Sequence, residues 1–158
     1  MASVTKESNS DVFVNLSDHL GGLVLKEEQK LAVEALLLGK DVMAVLPTGF
    51  GKSIIYQSFV MAKNLANTIS SSIVVIVPLR SIIEDQLQSN DFGLKAVAFE
   101  KNQQLLKDIG ANKYHVIFAS AEQALSAEFT ALLKDDSCEF KRNLSLVVVD
   151  ECHTVERW

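Results

Sequence analysis

Proline is nearly absent from these 158 residues, with 2 in the whole chain, and glycine is held to 7. A chain this poor in both is neither fibrous nor a linker, and most of it is expected to be ordered. Cysteine is equally scarce. Cys138 and Cys152 cannot build a zinc cluster by themselves, and their spacing matches no cysteine–metal pattern, so the chain is expected to be reduced and intracellular, without structural zinc. Long hydrophobic runs are missing as well. Apolar stretches are short and punctuated, and Met1 to Glu7 lacks the continuous apolar segment of a signal peptide or spanning helix, so no membrane contact is expected. Nor is there an excess of positive charge: 15 Lys and Arg against 20 Asp and Glu leave a formal net charge of -5. That balance excludes a large non-specific nucleic-acid surface and confines any such contact to a local patch. Two Asn-x-Ser sequons, at Asn15 and Asn143, matter only in a secreted protein and are read as chance.

What is present is one domain's worth of chain, 48% hydrophobic. Residues 1–11 are polar and serine-rich, with too little apolar material to offset the entropy of ordering, and 1–19 is expected to be a mostly flexible segment. From Glu27 to Leu38, Leu31, Ala32, Ala35 and Leu36 recur at helical spacing, and Gly39 offers a left-handed stop. Val42 to Leu46 reads as a buried strand ended by Pro47, followed by a helix from Lys52 to Ala66. The alternation continues with a strand at Ile73–Val77, a helix at Ser81–Gln88, a weaker strand at Lys95–Phe99 and a helix at Asn102–Ile109. The serines at 70–72 read as a loop before the first of these. A strand at Tyr114–Ala119, a helix at Ala121–Leu133 and a fifth strand at Leu144–Val149 complete it. Five strands with interleaved helices predict an α/β fold, a mostly parallel sheet with helices on both faces. Ligands gather outside the carboxyl ends of such strands, here Pro47–Ser53, Pro78–Arg80, Ser120–Glu122 and Asp150–His153.

The strongest local signal is Thr48-Gly49-Phe50-Gly51-Lys52-Ser53, between a predicted strand and a predicted helix. Glycines let successive backbone N–H groups turn toward phosphate oxygens, a helix N-terminus adds its positive end, Lys52 reaches outer phosphates and Ser53 holds magnesium. The strict G-x-x-x-x-G-K-S pattern fails, because Leu46 occupies its first position. Asp150-Glu151 directly follows Val147-Val148-Val149. A carboxylate pair at the end of an apolar strand calls for a cation, and magnesium with a triphosphate supplies one. Asp150 then binds the ion through water, and Glu151 orients or deprotonates the attacking water. The reading requires the loop and the acidic pair to converge on one magnesium-bound triphosphate. Asp150 as a simple helix cap is the plainer alternative.

The stretch Val45 to Gln57 resembles the first helicase motif of the RecQ family of superfamily-two DNA helicases, and Asp150-Glu151-Cys152-His153 resembles its second, a DEAH-type box. The resemblance covers about residues 20–158 and implies a P-loop, RecA-like lobe with ATP and Mg2+ as cofactors. It implies catalytic roles for Lys52, Glu151 and His153, and nucleotide contacts from Thr48, Gly49, Gly51, Lys52, Ser53 and Asp150, Ser53 and Asp150 being the metal residues. Gln29 reads the adenine edge in this picture, with Lys26 supporting the pocket; a plain surface glutamine is the alternative. Val77 to Gln86 and Phe118 to Leu125 resemble the next two motifs, and place Arg80, Ser81 and Ser120 on a DNA backbone, though helix capping suits both serines as well. Trp158 stands where an aromatic-rich loop begins. Phe50 departs from the family's small residue, and its side chain is expected to point away.

The implied function is the ATP-binding portion of a 3′–5′ DNA helicase, nuclear in a eukaryote and acting in repair or recombination. On this resemblance residues 20–158 are a partial, truncated lobe, lacking the lobe's end and the whole second RecA-like lobe that would be its partner. By itself such a piece is expected not to unwind DNA. A lobe of an RNA helicase and a catalytically idle, nucleotide-dependent binding module are the alternatives.

Overall fold

Gly39 ends its helix as anticipated. In the computed structural model, which describes residues 7–67, 69–78, 80–88 and 92–152 with backbone alone at 7–10, 80 and 81, that helix is α2, Glu27–Leu37. Gly39, at φ +76, donates its N–H to Leu36 O, and Lys40 donates to Ala35 O, the paired bonds that satisfy a helix's last carbonyls. The chain divides into two units, residues 1–68 and 69–158.

In the first unit, α2 and a preceding helix α1, Glu7–His19, pack against α3, Lys52–Ala66. Helix α1 lies within the 1–19 segment expected to be mostly flexible and occupies it from Glu7 onward. Leu16 and Leu20 are spaced one helical turn apart and are both buried, which offsets the ordering entropy of a polar stretch. Val33 of α2 and Phe59 and Val60 of α3 are buried as well.

The strand expected at Val42–Leu46 is absent: 40–47 carries no strand assignment, and Met43 and Val45 are 81% and 86% exposed. Apolar, β-branched residues favour a strand only when a neighbour supplies the ladder for their N–H and C=O groups. Among the described residues no strand does so for this segment.

The second unit is built on β1 (Ser72–Ile76), β2 (Ala96–Ala98), β3 (Val116–Ala119) and β4 (Leu144–Val149), in the order β2-β3-β1-β4 with every pairing parallel. The sheet thus has four strands among the described residues, not five. The crossovers are helical, α4 (Arg80–Gln88) from β1, α5 (Gln103–Gly110) from β2, and α6 (Ala121–Ala124), α7 (Ala127–Lys134) and α8 (Glu139–Asn143) from β3. The α/β class with a parallel sheet flanked by helices is therefore as predicted.

One helix anticipated at Ala121–Leu133 is two. Ser126 interrupts it: its Oγ donates to Gln123 O at 2.7 Å and accepts from Phe129 N–H at 3.3 Å, so it ends α6 and caps α7. Helix α8 was not anticipated. It buries Phe140 beside Phe129 and Phe99, whose rings meet edge-on at centroid distances of 6.2 and 5.1 Å, and this cluster seals Val74, Ile117 and Ala119 of the sheet. Ser72, expected in a loop, opens β1, and its Oγ donates to Tyr114 O at 2.7 Å. Among the described residues no helix is long and apolar enough to cross a membrane.

His115 joins β2 to β3. Its Nδ1 accepts from Lys95 N–H at 2.9 Å while its own N–H donates to Lys95 O at 2.7 Å. Burial, and secondarily the Lys95 charge, holds the imidazole below its ordinary value. The unfolded chain therefore takes up a proton first, near pH 6.5, and folding stability falls as pH drops from there toward the folded value. Urea titrations between pH 7.5 and 5 are expected to show this slope and to lose part of it in His115→Gln. Phe140→Ala is expected to cost about 3–5 kcal/mol by the same measurement, since nothing else fills that volume.

Candidate phosphate loop and acidic motif

The loop between 47 and 52 is shaped by two glycines and one buried amide. Phe50 N–H donates to Pro47 O at 3.1 Å, and Gly49 lies third in this four-residue turn at φ +80, a position that demands a left-handed residue. Gly51 follows at φ +92 and serves as the N-cap of α3, so Lys52 and Ser53 are the first two helical residues.

Gln29, on α2 and 3% exposed, reaches this loop: its Nε2 donates to Phe50 O and to Gly51 O, each at 3.1 Å. Its Oε1 accepts from Lys26 N–H at 2.8 Å. In a trans peptide the C=O and N–H point in opposite directions. Carbonyls 50 and 51 turned toward Gln29 therefore turn the N–H groups of Gly51 and Lys52 away from it. Two successive amides presented together at the start of a 15-residue helix are suited to an anion. Lys26 adds to the same corner. Its Nζ donates to Phe50 O at 3.3 Å and stands 4.0 Å from the centroid of the Phe50 ring.

Of the residues expected to bind nucleotide, the first unit thus brings together Lys26, Gln29, Thr48, Gly49, Gly51, Lys52 and Ser53. Phe50 is not among them, since sequence marks it only as a departure whose side chain points away. Its ring is half-buried against Lys26, and the only hint in the sequence was an aromatic residue confined between two glycines.

The second unit carries the other motifs. Its parallel register aligns Ile76 with Ala119 on one side and with Val149 on the other, so β3, β1 and β4 end along one edge. Ser120, Val77 and Asp150 follow directly, with Val77 N–H on Ala119 O at 3.0 Å and Asp150 N–H on Ile76 O at 2.9 Å. Ser120 caps α6: its Oγ accepts from Gln123 N–H at 3.2 Å, and Gln123 Oε1 accepts from Ser120 N–H at 2.9 Å. Gln123 Nε2 also donates to Phe99 O at 3.0 Å.

Asp150 Oδ1 accepts from the N–H of Glu151 at 2.9 Å, and Glu151 sits at φ +53, a backbone region in which a non-glycine residue is strained. The backbone of Arg80 and Ser81 begins α4 after β1, but their side chains lie outside the described residues, as do His153 and Trp158.

Among the described residues no three His, Cys, Asp or Glu side chains form a metal cluster. Ser53 in the first unit offers a hydroxyl and Asp150 in the second a carboxylate, each by itself a donor of the oxygen type that magnesium accepts. That ion keeps several of its waters and takes one or two protein ligands plus phosphate oxygens.

Residues 26–158 match the family described as DEAD/DEAH box helicase. The chain is 29% identical over 164 residues to an ATP-dependent DNA helicase Q-like 5 of Arabidopsis thaliana, covering 100% of this chain and 17% of that protein. It is 32% identical over 148 residues to the ATP-dependent helicase wrn-1 of Caenorhabditis elegans, covering 90% of this chain and 13% of the relative. Against a probable ATP-dependent DNA helicase RecS of Bacillus subtilis it is 32% identical over 152 residues, covering 90% and 28%. The chain therefore spans less than a third of each of these relatives.

Gly49 and Gly51 separate backbone strain from steric contact. A Cβ at Gly49 meets nothing within 4 Å, whereas one at Gly51 falls 2.8 Å from Gln29 Nε2. Gly49→Ala is expected to cost about 1–2 kcal/mol for its left-handed backbone alone. Gly51→Ala should cost more, because Gln29 must also move, and chemical denaturation of the two variants measures the difference.

Proposed function

Because this chain belongs to the DEAD/DEAH box helicase family and is related to RecQ-like DNA helicases, we propose that it is the ATP-binding lobe of a DNA helicase. The observation that carries the reading is the loop itself: a turn, two left-handed glycines, and two amides aimed together at the head of α3.

In this reading the backbone from Thr48 to Gly51 cradles the phosphates and Lys52 neutralises the outermost of them. Lys26 and Gln29 border the nucleotide. Ser53, by its hydroxyl, and Asp150, through water, hold magnesium, which when bound offsets charge on the outer phosphates. Glu151 orients and deprotonates the water that attacks the terminal phosphorus. Phosphoryl transfer needs such positioning more than covalent chemistry. His153 completes the acidic motif.

Residues 20–158 form part of the first of two lobes, and Arg80, Ser81, Ser120 and Trp158 contact the DNA backbone. Phosphate contacts of this kind fix register without reading sequence, which suits an enzyme that moves along a strand. In the protein that contains both lobes, hydrolysis is coupled to 3′–5′ unwinding through opening and closing of the cleft between them.

Calorimetry with Mg-ATP tests the site. Lys52→Ala is expected to weaken binding about 10- to 100-fold, the worth of a charge-assisted phosphate contact, while circular dichroism remains unchanged. Equal affinity in the two folded proteins would reject the phosphate assignment. Asp150→Asn should instead flatten the dependence of affinity on magnesium concentration.

A further inference from the structure

Strands β2 and β3 part at the edge where their connecting segments leave the sheet, and a side chain fills the parting. Their last shared rung is Phe99 N–H on Phe118 O, at 2.7 Å. Continuing the register that sets Ala98 opposite Phe118 would next bring Ser120 N–H onto Phe99 O, as a parallel ladder requires. The Gln123 amide stands between them instead. Its Oε1 accepts from Ser120 N–H at 2.9 Å, and its Nε2 donates to Phe99 O at 3.0 Å. One rung is thus replaced by two hydrogen bonds, so neither backbone group is orphaned where Phe99 turns into the aromatic cluster and Ala121 begins α6.

This wedge decides which part of Ser120 is left for a ligand. Its N–H is spent on Gln123 Oε1, its C=O accepts from Ala124 N–H at 2.9 Å, and its Oγ accepts from Gln123 N–H at 3.2 Å. Among the described residues, the hydroxyl hydrogen is what remains uncommitted. A serine in that state is a donor, matched to a group that only accepts, such as a phosphate oxygen. Gln123 itself is half-buried with both ends of its amide engaged, so its influence on a ligand passes through Ser120.

We propose that Gln123 is a positioning residue for nucleic-acid binding: by holding the exits of β2 and β3 apart and taking up the Ser120 N–H, it presents the Ser120 hydroxyl to a phosphate of a single DNA strand. The inference rests on the reading of Ser120 as a DNA-backbone contact. It adds a dependence that capping alone does not require: the hydroxyl contributes to binding only while the wedge is in place.

The test is fluorescence anisotropy of a labelled oligodeoxythymidine strand, titrated with the full 158-residue chain at several salt concentrations. Ser120→Ala is expected to weaken binding about tenfold, the worth of a hydrogen bond to a charged group, and Ser120→Thr, which keeps the hydroxyl and the cap, to restore it. Gln123→Leu should weaken binding by a similar factor, and the double variant with Ser120→Ala should bind no more weakly than Ser120→Ala alone. A neutral hydroxyl releases no counterion, so the slope of log affinity against log salt should stay that of the wild type throughout.

A Gln123→Leu chain that binds like the wild type, while Ser120→Ala is weakened, overturns the positioning role and leaves the contact standing. Losses that add in the double variant, or a changed salt slope in Gln123→Leu, overturn it as well, because the wedge then acts on something other than the hydroxyl. If Gln123→Leu does not fold by circular dichroism, Gln123→Asn, one methylene short of spanning both backbone groups, is read by the same outcomes. Unaltered binding in Ser120→Ala, or no binding by the wild-type chain, removes the contact and the proposal together.

Discussion

Strand β1 is hydrogen-bonded along both edges, to β3 and to β4, and the arrangement of the second unit follows from that double pairing. In a parallel ladder all chains run the same way, so a strand paired on both sides fixes the exit point of each neighbour. Three connecting segments leave from one edge as a result: the stretch after Val77, the Ser120 cap and the acidic pair. A slip of one residue would turn Val74 and Ile117 away from the Phe99, Phe129 and Phe140 cluster, so apolar burial guards the register that aligns those exits.

The first unit solves a smaller version of the same problem. Its loop has no ladder to rest on, and side-chain donors take the place of strand neighbours. Gln29 and Lys26 lie on and just before α2, a helix closed firmly at its far end by Gly39. The loop's geometry is therefore borrowed from a packed helix rather than intrinsic to its glycines. Glu151 shows the opposite economy. There a carboxylate-bearing residue occupies a left-handed backbone without the exemption that glycine enjoys, and the adjoining Asp150 side chain caps its N–H.

Much of this was legible in the sequence where local chemistry decides the outcome. Helix α3 begins and ends where the sequence placed it, and β4 runs over Leu144–Val149, the stretch expected to form a strand. Failures arose where a distant partner decides. Residues 42–46 have strand-like composition, but composition does not supply a neighbour. Ser126 reads as an ordinary mid-helix serine until its hydroxyl is seen bonding both ways. At the candidate site the glycines announced the loop, because few other residues accept φ near +80 or +92. The contact of Lys26 with Phe50 spans 24 residues and left no periodic trace, and whether Gln29 faced a base or a backbone was beyond any pattern of residue types.

The position of β4 in the strand order has a practical outcome. Among the described residues it is the last strand on its side, and Val147 and Val149 stand 53% and 42% exposed upon it. Its outward row of amides and carbonyls is thus a ready template, flanked by β-branched side chains and lacking lysine or proline, with one register shift near its start, where Ser72 pairs with Leu144 and Ile73 with Leu146. A second molecule that extended the ladder there would make self-association depend on protein concentration.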